Sequence, residues 1–329
     1  MKITSFMGIA LMLLVSCAAK KAGDSSVEVS DSINAGAETT SKISRPEFSA
    51  DSAYSYVDRL MAFGPRVPNT AAHQKSGDWL VKQLKGFGWE VTEQRADLKT
   101  FDGTKLKARN IFAQINPDHA ERLLLVAHWD SRPWADQDPD LEKRKEPVPG
   151  ANDGASGIGV ILEIARQLSL QKSGAGVDIL FVDAEDWGEE DNEDSWSLGT
   201  RYFAEHSPYK ENQRVKGILL DMVGSPDAQF RYEYFSKMAN FPLLDEIWSN
   251  AGTLGYGKLF VREDGGAVTD DHIPLMENGI PTIDIIDYRN DGNYMGFDPV
   301  WHTTHDDMKN ISKKTLGAVG ETVMSVIVK

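Results

Sequence analysis

The chain has one cysteine in 329 residues, Cys17. That excludes an intramolecular disulfide framework and a thiolate metal cluster in the folded part, so any metal chemistry must rest on His and carboxylates. Positive charge is also scarce. Thirty-five Lys and Arg stand against 50 Asp and Glu, a formal net charge of −15. A nucleic-acid partner is therefore not expected, because neutralising phosphates needs clustered Lys and Arg. Beyond the first residues no apolar run is long enough to span a bilayer, and no repeat occurs at solenoid periods.

What is present begins at the N-terminus. Lys2 precedes the apolar run FMGIALMLLV at 6–15, the length of a signal-peptide core and short of a membrane span. The following LVSC, 14–17, resembles the lipobox of Gram-negative bacterial lipoproteins. That resemblance implies a signal peptide over 1–17, a lipidated Cys17 and a periplasmic protein anchored to a membrane. Residues 18–44 are rich in Ala, Ser, Gly and charge, with too few large apolar residues to offset the entropy of ordering. They are expected to form a flexible tether to a single catalytic domain over 45–329.

Within that domain Ser49 caps an amphipathic helix that Gly64 stops, and a second helix puts Trp79, Leu80 and Leu84 on one face. WEVTEQRA, ARNIFAQI and RLLLVAHWD carry strand patterns. Helix then strand follows twice, ASGIGVILEIARQL before VDILFVDAED and SLGTRYFAEH before KGILLDMVG. A helix around FPLLDEIWSNAGTLG, a strand PTIDIID and a final helix over 313–328 complete the pattern. The alternation predicts an α/β fold with a mostly parallel sheet and helices on both faces.

In such sheets ligands bind at the carboxyl ends of the strands. LLVAHWDSR brings His128 and Asp130 there, GANDGASG brings Asp153, FVDAED brings Glu185 and Asp186, ILLDMVG brings Asp221, and VWHTTHDD brings His302. Zinc suits mixed imidazole and carboxylate ligation, and a catalytic zinc takes three protein ligands and keeps one open position. Asp153, Asp186 and His302 complete such a set. The adjacent carboxylates then divide the work, Asp186 on the metal and Glu185 over the open position as a proton shuttle. The acidic run at 189–194 is expected to be a solvated loop.

The ordered set HWDS, GANDGASG, FVDAEDWG, LLDMVG and HTTHDD resembles the zinc exopeptidase superfamily of di-zinc aminopeptidases. Within it, TDDHIPL, PTIDIID and Trp301 directly before His302 are similar to the metal-dependent glutaminyl cyclases, the animal-type enzymes and their bacterial relatives. The resemblance spans nearly all of 45–329. It implies zinc on Asp153, Asp186 and His302, with Glu185 as general acid/base. Animal members have Glu at the position of Asp186 and His at that of Asp284, so Asp284 is expected to share a proton with Asp270. His128 and Asp221 match the ligands of a second zinc in the aminopeptidases.

The expected activity is conversion of the N-terminal Gln of peptides or proteins to pyroglutamate with release of ammonia, using one zinc per chain. Asp221 is expected to share a proton with Asp270, leaving His128 a neutral, unligated imidazole. Asp270 is also expected to accept from the substrate amide, with Trp301 and Trp187 as pocket walls. The alternative is a di-zinc aminopeptidase that fills the second position and hydrolyses N-terminal residues.

Overall fold

Ser49 begins the first helix as its sequence predicts: its hydroxyl accepts the Ser52 N–H at 3.1 Å. The computed structural model describes residues 45–290 and 295–328. The expected signal peptide at 1–17, its Cys17 and the tether at 18–44 lie outside the described residues. In chain order the elements are α1 (Ala50–Met61), α2 (Ala71–Gly86), β1 (Glu90–Lys99), β2 (Lys105–Ile115), β3 (Glu121–His128), α3 (Ala155–Gln171), β4 (Val177–Val182), α4 (Leu198–Glu205), β5 (Arg214–Leu220), β6 (Phe230–Tyr232), α5 (Tyr234–Leu254), β7 (Phe260–Asp264), α6 (His272–Glu277), β8 (Thr282–Ile285), β9 (Arg289–Asn290), β10 (Met295–Gly296) and α7 (Lys313–Ile327).

Six strands form the main sheet in the order β1-β2-β4-β3-β5-β8. β4, β3, β5 and β8 run parallel, while β1 and β2 join antiparallel at one edge. The predicted α/β class holds. Alternation along β3 shows how the sheet is buried on both faces: Leu123, Leu125 and Ala127 enter a core shared with residues of α1, α2, α3, α5 and α7. Leu124 and Val126 enter a second core with Phe203 of α4 and Leu275 of α6. Each fully buried Leu, Ile, Val or Phe contributes roughly 1.5–3 kcal/mol, which is why β4, buried at all six positions, is a central strand. The one charge inside β4, Asp178, is matched by Arg122 through two hydrogen bonds of 2.6 and 2.7 Å and by the Tyr209 hydroxyl at 2.8 Å.

α5 begins earlier than the FPLLDEIW pattern predicts, at Tyr234, and kinks at Asn240, whose φ is −157°. Pro242 lacks an N–H and restricts its predecessor. The Asn240 side chain then caps the second half by accepting the Leu243 N–H at 3.2 Å. Among the described residues no helix is long and apolar enough to cross a membrane.

Candidate active site

The polar residues singled out above meet at the carboxyl ends of β3, β4, β5 and β8. The turns that aim them are unusual. Ala184, Met222 and His302 have φ of 56°, 48° and 54°, a left-handed conformation that costs a non-glycine residue roughly 1–2 kcal/mol. Two of these turns directly follow β4 and β5, reversing the chain so that carboxylates leave the sheet edge toward a common centre. Gly154, with φ 90°, starts α3 against the β3 end. A Cβ there would lie 2.9 Å from both the Asp130 carbonyl and the His128 ring, so only glycine brings Asp153 this close.

Asp153, Asp186 and His302 form one group whose ligating atoms all lie within 4.8 Å of one another. His302 Nε2 is 3.2 Å from Asp186 Oδ1 and 3.6 Å from Asp153 Oδ2. Asp186 Oδ2 is buried without a hydrogen-bond partner, as suits an atom reserved for a cation. A second group, His128, Asp153 and Asp221, shares Asp153 through its other oxygen. His128 Nε2 stands 2.9 Å from Asp153 Oδ1 and 3.2 Å from Asp221 Oδ1. Both metal positions of a di-zinc site are thus chemically furnished.

Glu185, 9 % exposed, stands 4.0 Å from His128 Nδ1. Asp130 fixes it through the backbone: its two carboxylate oxygens accept the N–H groups of Glu185 and Asp186, each at 3.3 Å. Asp306 does the same for the other ligand, accepting the Asn152 and Asp153 N–H groups at 2.8 and 3.0 Å. Arg132, buried, donates to the Asp186 carbonyl at 3.1 Å and to Asp136 twice at 2.8 Å. Asp136 in turn stands 3.4 Å from His302 Nδ1, orienting the other ring nitrogen toward the ligand group.

Burial dominates the acid–base properties of this cluster. It pushes Glu185 well above the usual carboxylate range, with the charges of Asp186, Asp271 and Asp270 adding and His128 opposing. Burial and the neighbouring Asp221 push Asp270 up to about 7, and burial and Asp270 do the same for Asp271. Asp284 is driven well above its usual range by burial and then by Asp270, Asp221 and Glu233. Burial opposes ionisation of Asp153, but its bond to His128 holds it below the usual value.

Burial opposes charge on His128, but Asp130, Asp153 and Asp221 outweigh it and raise its pKa well above the ordinary imidazole value. Asp221 accepts the Met222 N–H at 2.9 Å and stands 3.2 Å from His128 Nε2, while Asp270 Oδ1 accepts the Asp271 N–H at 2.5 Å. Charge on Asp221 acts on Asp270. One expectation needs correction: Trp187 is not a pocket wall. It packs with Leu98, Leu106, Ala184 and Leu198 and points its Nε1 at Asp102, 3.4 Å away.

The wall is Trp196. Gly188 admits it, for a Cβ there would lie 2.0 Å from the indole. Trp196 and Trp301 flank the His302 ring at 6.0 and 3.7 Å, and Arg132 holds Trp196 with its guanidinium 4.8 Å from the ring. With Tyr288, Phe297 and Ile286 they enclose a cavity of about 290 Å³, into which Glu185, Asp153 and Asp270 also face. This is the concave, part-aromatic site with convergent polar groups expected of a small ligand. A larger hollow of about 470 Å³ beside Thr70 and Arg95 holds none of these groups.

The model of peptidase family M28 matches residues 110–327. The chain belongs to that family. Among solved structures it is similar to the glutaminyl cyclase of Porphyromonas gingivalis, at 50% identity and TM-score 0.80 over 84% of this chain and 96% of that one. It is similar also to the Bacteroides thetaiotaomicron glutaminyl cyclase bound to N-acetylhistamine, at 46% identity and TM-score 0.82 over 86% and 99%. Aminopeptidase YwaD of Bacillus subtilis is 28% identical over 275 residues, 80% of this chain but only about half (53%) of that protein. It is similar too to a Zn-dependent exopeptidase from Parabacteroides distasonis, at 49% identity and TM-score 0.82 over 86% and 99%.

Proposed function

We propose that this M28 protein is a glutaminyl-peptide cyclotransferase that converts N-terminal Gln to pyroglutamate and releases ammonia. The observation that carries this reading is the likeness to solved glutaminyl cyclases at 46–50% identity over 96–99% of their chains. The site supports it: a small aromatic pocket with a shielded carboxyl, Glu185, beside a three-ligand group.

Asp153, Asp186 and His302 would hold one zinc ion per chain, since the unpartnered Asp186 oxygen and the carboxylate excess favour a divalent cation. Bound there, it supplies a Lewis acid that polarises the side-chain amide carbonyl of the substrate Gln. Glu185 removes a proton from the substrate's α-amine as its nitrogen bonds to the side-chain carbonyl carbon. It then gives that proton to the amide nitrogen, the old C–N bond breaks and ammonia leaves. No water is consumed. The raised pKa of Glu185 brings it toward working pH, as a group that must both take and give a proton requires. Because the nucleophile belongs to the substrate, Trp196 and Trp301 contribute by holding the folded-back conformer. Asp270 accepts a hydrogen bond from the substrate, and Asp221 stays with His128.

The second reading, a di-zinc aminopeptidase, draws on the His128, Asp153 and Asp221 group. A Gln-led peptide separates them: mass spectrometry registers loss of one ammonia for the cyclase and a shortened peptide for the peptidase. We further propose that Cys17 carries the lipid that anchors the protein in the periplasm. The sequence offers no other cysteine, so Cys17→Ser should leave it free of membranes in cell fractionation, and a detergent-dependent variant would refute the anchor.

A further inference from the structure

The pocket assigned to glutamine has a rim of one charge sign. Glu190 and Asp191, both exposed, line the same cavity as Glu185 and Trp301. Among the described residues no Lys or Arg lines that cavity. The rim is also built rather than loose. The Glu189 N–H donates to the Ser195 hydroxyl at 2.8 Å, that hydroxyl donates to the Asn192 carbonyl at 2.6 Å, and Glu189 pairs with Asn192 across the turn. Asp191 sits at its apex with φ 64°, a conformation Asp tolerates better than most residues. Farther along the same loop Asp194 faces Arg201 at 3.6 Å, whereas Glu190 and Asp191 form no ion pair with the described residues. Independently, the cavity is prepared for a ligand: Asp270, 5 % exposed, lines it with Oδ2 buried and unpartnered.

Ring closure involves only the first residue of the substrate, so everything from the second residue onward must leave through the mouth. We propose that Glu190 and Asp191 select peptides carrying Lys or Arg immediately after the N-terminal Gln and disfavour those carrying Asp or Glu. This rests on the cyclase reading of the site. A carboxylate pair exposed to water acts modestly at contact and adds steering of cationic chains toward the mouth, and both effects fade once salt shortens the screening length below about 8 Å. The acidic loop is thereby a specificity element of the pocket.

The test compares kcat/KM for three peptides that differ only at the second position, Gln-Lys, Gln-Ala and Gln-Glu, at low and high ionic strength. The zinc-loaded full protein and a Glu190→Gln/Asp191→Asn double variant are measured side by side. The native protein should favour Gln-Lys over Gln-Glu about ten-fold at low salt, the size of a few solvent-exposed charge pairs, and the ratio should shrink as salt rises. The double variant, with native zinc content and melting temperature, should lose most of that ratio. Equal rates for the three peptides, or a preference that survives in the double variant, overturn the assignment of the rim. Failure of all three to cyclise strikes the cyclase reading itself and takes this proposal with it.

Discussion

Replacing Glu185 with Gln removes a proton carrier while leaving its scaffold in place. The backbone N–H of residue 185 stays bound to Asp130 whatever the side chain is, and among the described residues the Glu185 carboxylate has one ion-pair approach, 4.0 Å to His128 Nδ1. Little packing or hydrogen bonding is lost. What disappears is a carboxyl whose pKa burial and the Asp186, Asp271 and Asp270 charges hold well above normal. General acid–base catalysis contributes ~10²–10⁴-fold, so kcat should fall by that factor, or about 3–5 kcal/mol of barrier at 1.36 kcal/mol per decade. Stability should move the other way or not at all. A carboxyl with a raised folded pKa destabilises the fold as pH rises above its unfolded value, and the neutral amide carries no such penalty. The assay is ammonia release from a Gln-led peptide across pH, with zinc analysis and a melting curve on the same sample. Glu185→Gln retaining activity within about three-fold, or losing its zinc, would refute the assignment of the proton shuttle.

Asp186→Ala should differ from its neighbour by losing zinc, measured by metal analysis after dialysis; full occupancy would remove Asp186 from the ligand set. Trp196→Ala should raise KM about ten-fold or more, whereas Trp187→Ala should lower the melting temperature through lost packing with Leu98 and Leu106 and leave KM near native; reversed effects would restore Trp187 as the wall. In metal-free protein the carboxyls of Asp270 and Asp271, raised to about 7, bind protons more tightly folded than unfolded. Stability from them is fully present below about pH 4 and is lost as pH rises through about 7. The melting temperature should therefore fall between pH 5 and 8, and Asp270→Asn should flatten that slope; a rise with pH would contradict the burial-driven shifts.

Much of this site was legible in the sequence because it sits where strands end. An apolar run stopped by carboxylates, as at Val182 before Asp183, Glu185 and Asp186, marks the carboxyl edge of a buried strand whatever its neighbours. The antiparallel β1–β2 edge was open to reading, because only residues 100–104 join the two strands and a parallel pair needs a crossover of a dozen or more. Trp187 drew attention by adjoining a metal-ligand candidate, yet its ring packs with Leu98, Leu106 and Ala184 instead. Trp196 lies beyond the acidic loop, and only Gly188, small enough to receive an indole, hinted at its place. Asp306 carried no signal, because its work is to satisfy the backbone N–H groups of Asn152 and Asp153, distant in the chain, and neither did Arg132, which acts through Asp136 and Trp196.

The central claim is that this site closes a ring without spending water, and oxygen-18 labelling tests it most directly. The zinc-loaded protein is incubated with a Gln-led peptide in oxygen-18 water and the products are weighed. The cyclase account predicts a peptide lighter by one ammonia, intact along its length and free of label. A free N-terminal residue bearing oxygen-18 in its new carboxylate would contradict it and establish peptide hydrolysis.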